Sequence, residues 1–330
     1  MHALLVAGMV ALSVGAKAPS PGDAIAGDYV DYEVSSAAKP RLQVVVRLQA
    51  VVVTKKAVVV DVRAMKGRAP PWLAEPGLRL TLALDGKAPR REVPGNQRAG
   101  RESRPVKVER AGQMFSCTNY AFESKRGPSG AGCIDAAVKA LALTGGLVDE
   151  TLMNAGPKGA DGYALTLVGF GHEDVPTTAP PVAYGPDASW TVWEKGPKER
   201  LVRRAVTSAG GKLVVTTTVF TPKPGKAAKG EPTVDGRAWK AGPSTQRPDT
   251  LLQHLVALLK ELPEGDSSGE PGAELSVGPK PMKTTREKAG GRTETRVARP
   301  SEVPEAPLPV RFGVIAAEGG DADFSLVEWK

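Results

Sequence analysis

Short segments in which apolar and polar residues alternate follow one another along most of the chain, and they predict a mainly β protein. Segment 78–84 alternates without interruption, and the turn dipeptide Asp85-Gly86 after it predicts a tight hairpin. The Val-rich segments 41–53 and 57–64 predict another hairpin, because only Thr54-Lys55-Lys56 separates them. The periodicity therefore indicates antiparallel sheets.

One segment departs from this pattern and predicts a helix. Within 247–262, apolar residues recur at helical spacing and form a wide stripe: Leu251, Leu252, Leu255, Val256, Leu259 and Leu262. Thr250 and Gln253 stand three positions apart at its start, as in a capping box. In 134–143 the helical spacing is shorter, and we expect an irregular or short-helical crossing that ends at Gly145-Gly146.

The chain also repeats itself. Segment 28–34 recurs as 189–194 at an offset of 161, which aligns Tyr29 with Trp190, Tyr32 with Trp193 and Glu33 with Glu194. Other pairs recur at an offset of 159, namely Arg41-Leu42 with Arg200-Leu201 and segment 167–170 with segment 326–329. We interpret these echoes as a duplication, in which each copy opens and closes with an aromatic strand.

The predicted fold class is mainly β (α+β), with two tandem copies of a curved antiparallel sheet unit and one clear helix in the second copy. The units span 24–171 and 187–330, and the Pro- and Thr-rich segment 172–186 links them. Segments 221–245 and 264–299 are rich in Pro, Gly or charge and poor in large apolar residues. We therefore expect little regular structure in these two segments.

The N-terminus predicts export. Residues 3–16 are almost wholly apolar, too short to span a bilayer but suited to a signal peptide over 1–16. The residues before them, Met1 and His2, lack the usual Lys or Arg, and a buried N-terminal element is the alternative. No later run reaches 18 apolar residues, so we expect no transmembrane segment in the mature chain, which would be periplasmic or extracellular.

The chain has two cysteines, Cys117 and Cys133, both in the first unit. In an exported protein this predicts one disulfide, which would stabilise the fold by about 3 kcal/mol. The alternative is a pair of buried thiols in a cytosolic protein. Neither cysteine lies in a spacing typical of metal sites, and we expect no metal and no cofactor.

Positive charge is concentrated in one segment. The chain carries a net charge of +8, and segment 66–110 contains eleven Lys or Arg against five Asp or Glu. This segment could be a face that binds an anionic polysaccharide or lipopolysaccharide, or an ordinary solvated surface. No aromatic residue interleaves with the charges between residues 73 and 110, so we expect no binding to nucleic acid.

Sequence motifs for catalysis are absent. The chain has no nucleophile elbow, zinc-protease helix or phosphate-binding loop. His172-Glu173-Asp174 lies in the predicted linker, where solvated charges are the simpler explanation. His254 lies in the predicted helix, where a histidine on the helix surface is a simpler explanation than a ligand. Asp321 and Asp323 are typical of a turn, whereas a calcium site needs more oxygen ligands. We therefore predict a protein that is not an enzyme.

The repeated aromatic residues Tyr29, Tyr32, Trp190 and Trp193 are the candidate ligand-binding residues. They could rim a cavity for an apolar or sugar ligand, fill the core of each sheet, or lie where the two copies meet. Their i, i+3 spacing places the two rings of each pair on opposite faces of a regular strand. Either a bulge intervenes or one ring of each pair faces solvent or the other copy.

Several segments resemble poorly characterised exported proteins and lipoproteins of myxobacteria. The resemblance rests on the opening segment 27–34, the strand 108–117, the Gly-Gly turn 145–148 and the strand 165–171. Such proteins are broadly similar to LolA- and LppX-type envelope domains. The resemblance implies a curved antiparallel sheet backed by a helix, whose apolar concave face binds lipid or another hydrophobic ligand.

Together these features predict an exported cell-envelope binding or scaffolding protein that holds an apolar ligand on its sheet. One alternative is a surface-interaction protein that grips an anionic envelope polymer through segment 66–110. Another is an enzyme whose site no motif reveals. The sequence leaves open the oligomeric state and whether the two units share one sheet.

Overall fold

The computed structural model describes residues 19–36, 43–67, 73, 77–89, 98–101, 106–123, 129–154, 161–175, 182–184, 188–260, 270–272, 274–277, 280–289, 292–297, 314–319 and 323–330. Four predictions lie outside the described residues: the signal peptide, the repeated dipeptide Arg41-Leu42, Asp321, and Leu262 at the end of the helical stripe.

The first unit forms one eleven-stranded sheet together with residues 182–184, which belong to the predicted linker. Its strands are β1 (Asp28–Ser36), β2 (Gln43–Val53), β3 (Ala57–Gly67), β4 (Leu78–Ala83), β5 (Arg98–Arg101), β6 (Val106–Arg110), β7 (Gln113–Glu123), β8 (Ser129–Ile134), β9 (Leu147–Asn154), β10 (Asp161–His172) and β11 (Val182–Tyr184). They pair in the order β11-β4-β3-β2-β1-β10-β9-β8-β7-β5, and β6 also pairs with β7. All pairs are antiparallel except the edge pair of β11 with β4.

The second unit forms a ten-stranded sheet. Its strands are β12 (Ala188–Lys195), β13 (Arg200–Ala209), β14 (Lys212–Lys223), β15 (Thr233–Val234), β16 (Arg237–Asp249), β17 (Glu270–Pro271), β20 (Thr284–Ala289), β21 (Arg292–Val297), β22 (Val314–Glu318) and β23 (Asp323–Trp329). They pair in the order β15-β16-β14-β13-β12-β23-β22-β21-β20-β17, while β18 (Leu275–Val277) and β19 (Lys280–Met282) form a separate pair. The predicted mainly β fold with tandem sheet units is confirmed.

The predicted helix is also confirmed, as α1 (Leu251–Lys260) in the second unit. Its capping box forms as expected: the Gln253 backbone N–H donates to Thr250 Oγ1 at 3.3 Å, and the Thr250 N–H donates to Gln253 Oε1 at 3.2 Å. In the first unit, a 3₁₀ helix (Lys139–Thr144) forms the predicted short crossing. It ends at Gly145 and Gly146, both at positive φ.

Each unit begins and ends in the middle of its sheet. The opening strand β1 lies between β2 and the closing strand β10, and β12 lies in the same way between β13 and β23. Both closing strands carry a bulge at the equivalent position, so Val168 and Val327 have no direct partner. The shared topology and the shared bulge support the duplication.

The ladders correct the predicted alignment of the two copies by one residue. Val30 pairs with Phe170 as Trp190 pairs with Trp329, and Tyr32 pairs with Leu167 as Val192 pairs with Leu326. The equivalent of Tyr32 is therefore Val192, at an offset of 160, and not Trp193. The alignment of aromatic with aromatic was wrong, because successive side chains in a strand point to opposite faces.

The two sheets are separate, yet one hydrophobic core joins them. The 3₁₀ helix of the first unit contacts α1 of the second, and buried residues of both units belong to a continuous cluster that includes Val30, Leu48, Leu141, Trp190 and Leu255. The turn at Asp85-Gly86 lies at this junction: the Gly210 N–H donates to the Asp85 carbonyl at 2.9 Å.

Two local expectations were wrong. Asp85-Gly86 does not close a tight hairpin, because β4 pairs with β3 and β11 and not with the strand that follows it. Segments 221–245 and 264–299 contain regular strands, including most of β16 and the whole of β20 and β21. Backbone pairing with neighbouring strands compensates there for the scarcity of large apolar side chains.

Candidate functional site

The four predicted aromatic residues do not converge on one site. Tyr32 is fully buried and Trp190 is 6% exposed, and both belong to the shared core. Tyr29 and Trp193 are half-buried on the opposite faces of their sheets. Each pair therefore splits between two faces, as the strand geometry predicts, because the bulges lie on the closing strands and leave β1 and β12 regular.

Tyr32 has a structural role in the first unit. Its hydroxyl donates to the Leu147 carbonyl and lies 3.0 Å from Thr144 Oγ1, which ties the centre of the sheet to the end of the 3₁₀ helix. Burial raises the pKa of the Tyr32 hydroxyl well above its usual value, so the group stays neutral.

Tyr29 belongs to a cluster of charges on the outer face. The Arg47 guanidinium lies 3.8 Å from the centre of the Tyr29 ring and binds both oxygens of Asp31 at 2.8 and 2.9 Å. It also reaches Glu173 at 2.6 Å. Gly171 leaves the space in which the Tyr29 ring lies, since a Cβ there would sit 3.1 Å from the hydroxyl. This stacked and paired arginine is a structural element.

His172-Glu173-Asp174 is more ordered than predicted. His172 ends strand β10, and its Nδ1 lies 3.1 Å from Asp28 Oδ1. Glu173 pairs with Arg47, and its N–H donates to the Gly27 carbonyl at 3.0 Å. His172 is nonetheless 54% exposed, so the segment fixes the junction of β1 and β10 and does not enclose a reaction site.

Trp193 packs in a smaller cluster on the outer face of the second sheet. Its ring meets Trp239 edge to face, with centroids 6.2 Å apart, and its Nε1–H donates to Glu199 at 2.9 Å. Lys195 covers the ring at 4.2 Å from its centroid, and Arg237 binds Glu199 through both terminal nitrogens. The indole is thus occupied by neighbours and offers no open stacking surface.

A cleft in the second unit brings together one of the predicted residues and several that sequence reasoning missed. It lies between α1 and the strands β12, β13, β14 and β16, and has a volume of about 210 Å³. Its lining consists of Trp190, Arg204, Val215, Thr217, Thr245, Gln246, Arg247, His254, Ala257 and Leu258. It is the candidate functional site.

The sheet side of this cleft is built from rows of directly paired residues. One row crosses four strands, because Trp190 pairs with Arg204, Arg204 with Thr217, and Thr217 with Thr245. Such partners project from the same face of the sheet. The row runs from the buried Trp190 to the exposed Thr245, so the cleft has a closed apolar end and an open polar end.

The helix side presents residues from one face of α1. His254, Ala257 and Leu258 are spaced by three and four positions, which places them side by side. The expected surface position of His254 was wrong, because α1 turns this side chain toward the sheet and leaves it 3% exposed. Its Nδ1 lies 4.0 Å from Asp249 Oδ2. Burial, with a smaller contribution from the positive charge of Arg247, lowers the pKa of His254 to about 4, so the ring is neutral at pH 7.

The basic segment 66–110 presents fewer available cations than its composition indicates. Arg79 binds both oxygens of Asp61 at 2.7 and 2.9 Å, which raises the pKa of the guanidinium. Arg110 pairs with Asp149 at 2.9 Å. Of the basic residues whose side chains are described there, the exposed ones are Lys66, Lys87 and Lys107.

The predicted disulfide is confirmed between Cys117 on β7 and Cys133 on β8, with Cα atoms 5.2 Å apart.

A buried carboxylate lies near this disulfide. Glu150 is 4% exposed and accepts hydrogen bonds from Tyr163 at 3.0 Å and Tyr120 at 3.1 Å. Sequence reasoning missed this buried carboxylate, although alternation from Val148 places it on the inward face. A Cβ at Gly132 would clash with the Tyr120 ring that crosses it.

The described residues contain neither a metal-binding cluster nor a membrane-spanning helix. No group of three or more His, Cys, Asp and Glu side chains is arranged to hold a metal ion in the described part of the chain. Of the helices that the structure describes, none is both long and apolar enough to cross a membrane.

Comparisons with known proteins give little further information. No protein-family model matches the chain, and no curated protein matches it. Among solved structures, a crystal structure of MucB is 11% identical with a TM-score of 0.33, covering 68% of this chain and 88% of that one. A structure of MucB in complex with MucA(peri) is 12% identical with a TM-score of 0.28, covering 72% and 92%. These TM-scores are too low to transfer a function, so the geometry of the cleft is the basis for a proposal.

Proposed function

We propose that the protein is an exported cell-envelope binding protein, and not an enzyme, which holds a small ligand with an apolar part in the cleft between α1 and the second sheet. The observation that carries this proposal is the shape of the cleft. Trp190, Val215 and Leu258 form a buried apolar end, and polar side chains surround the open end. Ligand sites typically combine apolar walls with a few placed polar groups.

The polar groups of the cleft favour binding over catalysis. They are two arginines, two threonines, a glutamine and a histidine. A general acid–base residue works best with a pKa near the operating pH, whereas His254 is buried with a pKa of about 4. These groups are suited to orienting a ligand through hydrogen bonds and charge.

Export is part of the proposal because two features support it. The apolar segment 3–16 has the length of a signal peptide core, and the pair Cys117–Cys133 is oxidised. Disulfides persist mainly in oxidising compartments such as the periplasm. The resemblance to LolA- and LppX-type domains implies lipid binding, which is part of the same proposal.

Native mass spectrometry of the mature protein tests the function directly. The protein is purified without detergent from the periplasm of its own or a related host. We expect an adduct that is lost on denaturation. The variant Ala257→Phe, which fills the cleft, should lose the adduct, whereas Ala241→Phe, at an exposed position of β16, should retain it.

A bare mass for the wild-type protein would contradict the proposal. So would an adduct that Ala257→Phe retains, because the ligand would then lie elsewhere. If such an adduct dissociated with rising salt concentration, binding of an anionic polymer through segment 66–110 would replace the cleft as the explanation. Circular dichroism of both variants verifies that each is folded.

A further inference from the structure

We infer that the cleft selects ligands with an anionic head group, a carboxylate or a phosphate monoester, on a short hydrocarbon chain. This inference rests on the proposed function, since it specifies the class of ligand for the same cleft. Three features carry it: the charge of the lining, the state of each arginine, and the size and polarity of the space.

The lining is positively charged. The ten described residues that form it include two arginines and no Asp or Glu. The third basic side chain, His254, is neutral at pH 7 because burial lowers its pKa. Asp249 offsets the charge of Arg247, so Arg204 supplies the net positive charge of the site. A concave site with a net charge and low-dielectric walls raises the local concentration of ions of the opposite sign.

Arg204 is the principal cation of the site. It is half-buried in the middle of the row from Trp190 to Thr245. No carboxylate of the described residues lies within ion-pair distance of it. A charge removed from water without a partner is costly, so an anionic ligand would supply the partner that the described residues do not.

Arg247 is held in place by Asp249 yet keeps donors for a ligand. Its Nε donates to Asp249 Oδ1 at 2.8 Å and its Nη2 donates to Oδ2 at 2.8 Å. Asp249 is 5% exposed, so this pair fixes the guanidinium at the open end of the cleft. Within the described part of the chain, the Nη1 hydrogens have no acceptor. They can donate to a second oxygen of a carboxylate or phosphate.

The size of the cleft limits the rest of the ligand. Its volume of about 210 Å³ lies below the roughly 300–1,000 Å³ of sites that enclose drug-sized molecules. The apolar end between Trp190 and Leu258 suits a few methylene groups. The head group then lies along the row of Arg204 and Thr217, toward the open end. A single-chain amphiphile satisfies both ends.

Titration calorimetry with four eight-carbon probes tests the inference: octanoate, octyl phosphate, octanol and octylamine. Octanoate or octyl phosphate should bind at least roughly tenfold more tightly than octanol, because hydrogen bonds to charged groups are stronger than neutral ones. Comparison of the two anions shows which head group the site takes. Arg204→Gln should weaken binding of the anions about tenfold and leave octanol within about twofold.

The matched control is Arg203→Gln. Arg203 is adjacent in sequence but projects from the opposite face, where it binds Glu328 at 2.5 Å, so its removal should leave anion binding within about twofold. If all probes bound equally and Ala257→Phe blocked them all, the inference about charge would be overturned while the proposed cleft would stand. If no probe bound and the native protein carried no adduct, both would be overturned.

Discussion

The opening and closing strands pair in the same way in both sheets, but large and small side chains occupy opposite positions along them. In the first unit the inward residues of the opening strand are Val30 and then Tyr32, whereas in the second they are Trp190 and then Val192. One large and one small side chain face the core in each case, in reversed order. Cores tolerate such exchanges when total volume is conserved, so the duplication has conserved the ladder and the volume but not the identity at each position.

The outer faces differ in a parallel way. Arg47 and Arg203 occupy equivalent positions on β2 and β13. Arg47 binds Asp31 on the opening strand, whereas Arg203 binds Glu328 on the closing strand. Gly169 stands at the position equivalent to Glu328, and Thr191 at that of Asp31. The arginine therefore occupies the same position in both sheets, whereas its carboxylate partner lies on the opening strand in the first sheet and on the closing strand in the second.

The largest expected effect comes from truncating the inward aromatics. Tyr32→Ala and Trp190→Ala should each lower the free energy of unfolding by about 3–5 kcal/mol, because each leaves a large cavity in the shared core. Tyr29→Ala and Trp193→Ala should cost about 1–2 kcal/mol, since both rings are half-buried. Urea denaturation of the four variants measures these values. If Tyr29→Ala and Trp190→Ala lowered the free energy of unfolding by similar amounts, the two residues would be equivalent after all. The reversed order of large and small side chains in the two sheets would then be wrong.

The pairing register of the two opening strands separates what the sequence could predict about the fold from what it could not. The alternation of segment 78–84 and the capping box at Thr250 are local signals, and both elements formed as predicted. The offset between the copies depends on which face each residue of β1 and β12 occupies. A repeat of aromatic letters does not carry that information, because Tyr29 and Trp190 face opposite sides.

The cleft was not predictable for a related reason. Its residues come from four strands and one helix, and their meeting depends on cross-strand register and on where α1 packs. Trp190 was predicted only as one of four aromatics, and Arg204 and Arg247 lie in no motif. Long-range pairing leaves no signature in a single sequence, whereas the Cys117–Cys133 pair could be predicted because cysteine chemistry itself requires the contact.

Loss of the disulfide should destabilise the first unit more than the second. Cys117→Ala combined with Cys133→Ala should lower the free energy of unfolding by about 3 kcal/mol, because the cross-link no longer restricts the unfolded chain. Hydrogen exchange should show the lost protection in β7, β8 and β9, while β13 and β14 change little. Equal loss of protection in both sheets would mean that the shared core makes them a single cooperative unit, which would weaken the comparison.

Acid sensitivity should reside in the second unit. The pKa of His254 is about 4 in the folded protein and near 6.5 in the unfolded chain, so between these values only the unfolded chain takes up the proton. The free energy of unfolding therefore falls as pH drops through this window, by roughly 2–3 kcal/mol from pH 8 to pH 4.5. Tyr32 contributes nothing there, because its raised pKa keeps it neutral.

Urea denaturation at the two pH values measures this contribution. His254→Gln removes the titrating group while keeping a polar side chain, so its unfolding free energy should depend less steeply on pH than that of the wild type. All other titratable groups are present in both proteins, so the difference between the two slopes reports the replacement of His254. Identical slopes would contradict the assignment of acid sensitivity to His254.

The smallest expected effect concerns moving the carboxylate partner of Arg47 from the opening strand to the closing strand. Gly169→Glu alone should destabilise the protein by about 1 kcal/mol, because a Cβ at Gly169 lies 3.0 Å from Asp31 Oδ2 and the two carboxylates repel. Adding Asp31→Thr reproduces the arrangement of the second unit, in which Arg203 binds both Thr191 and Glu328. The double variant should therefore recover about 0.5–1 kcal/mol relative to the sum of the single changes. Strictly additive costs in a double-mutant cycle would show that the two outer faces are not interchangeable, and that the equivalence of the sheets is limited to their backbones.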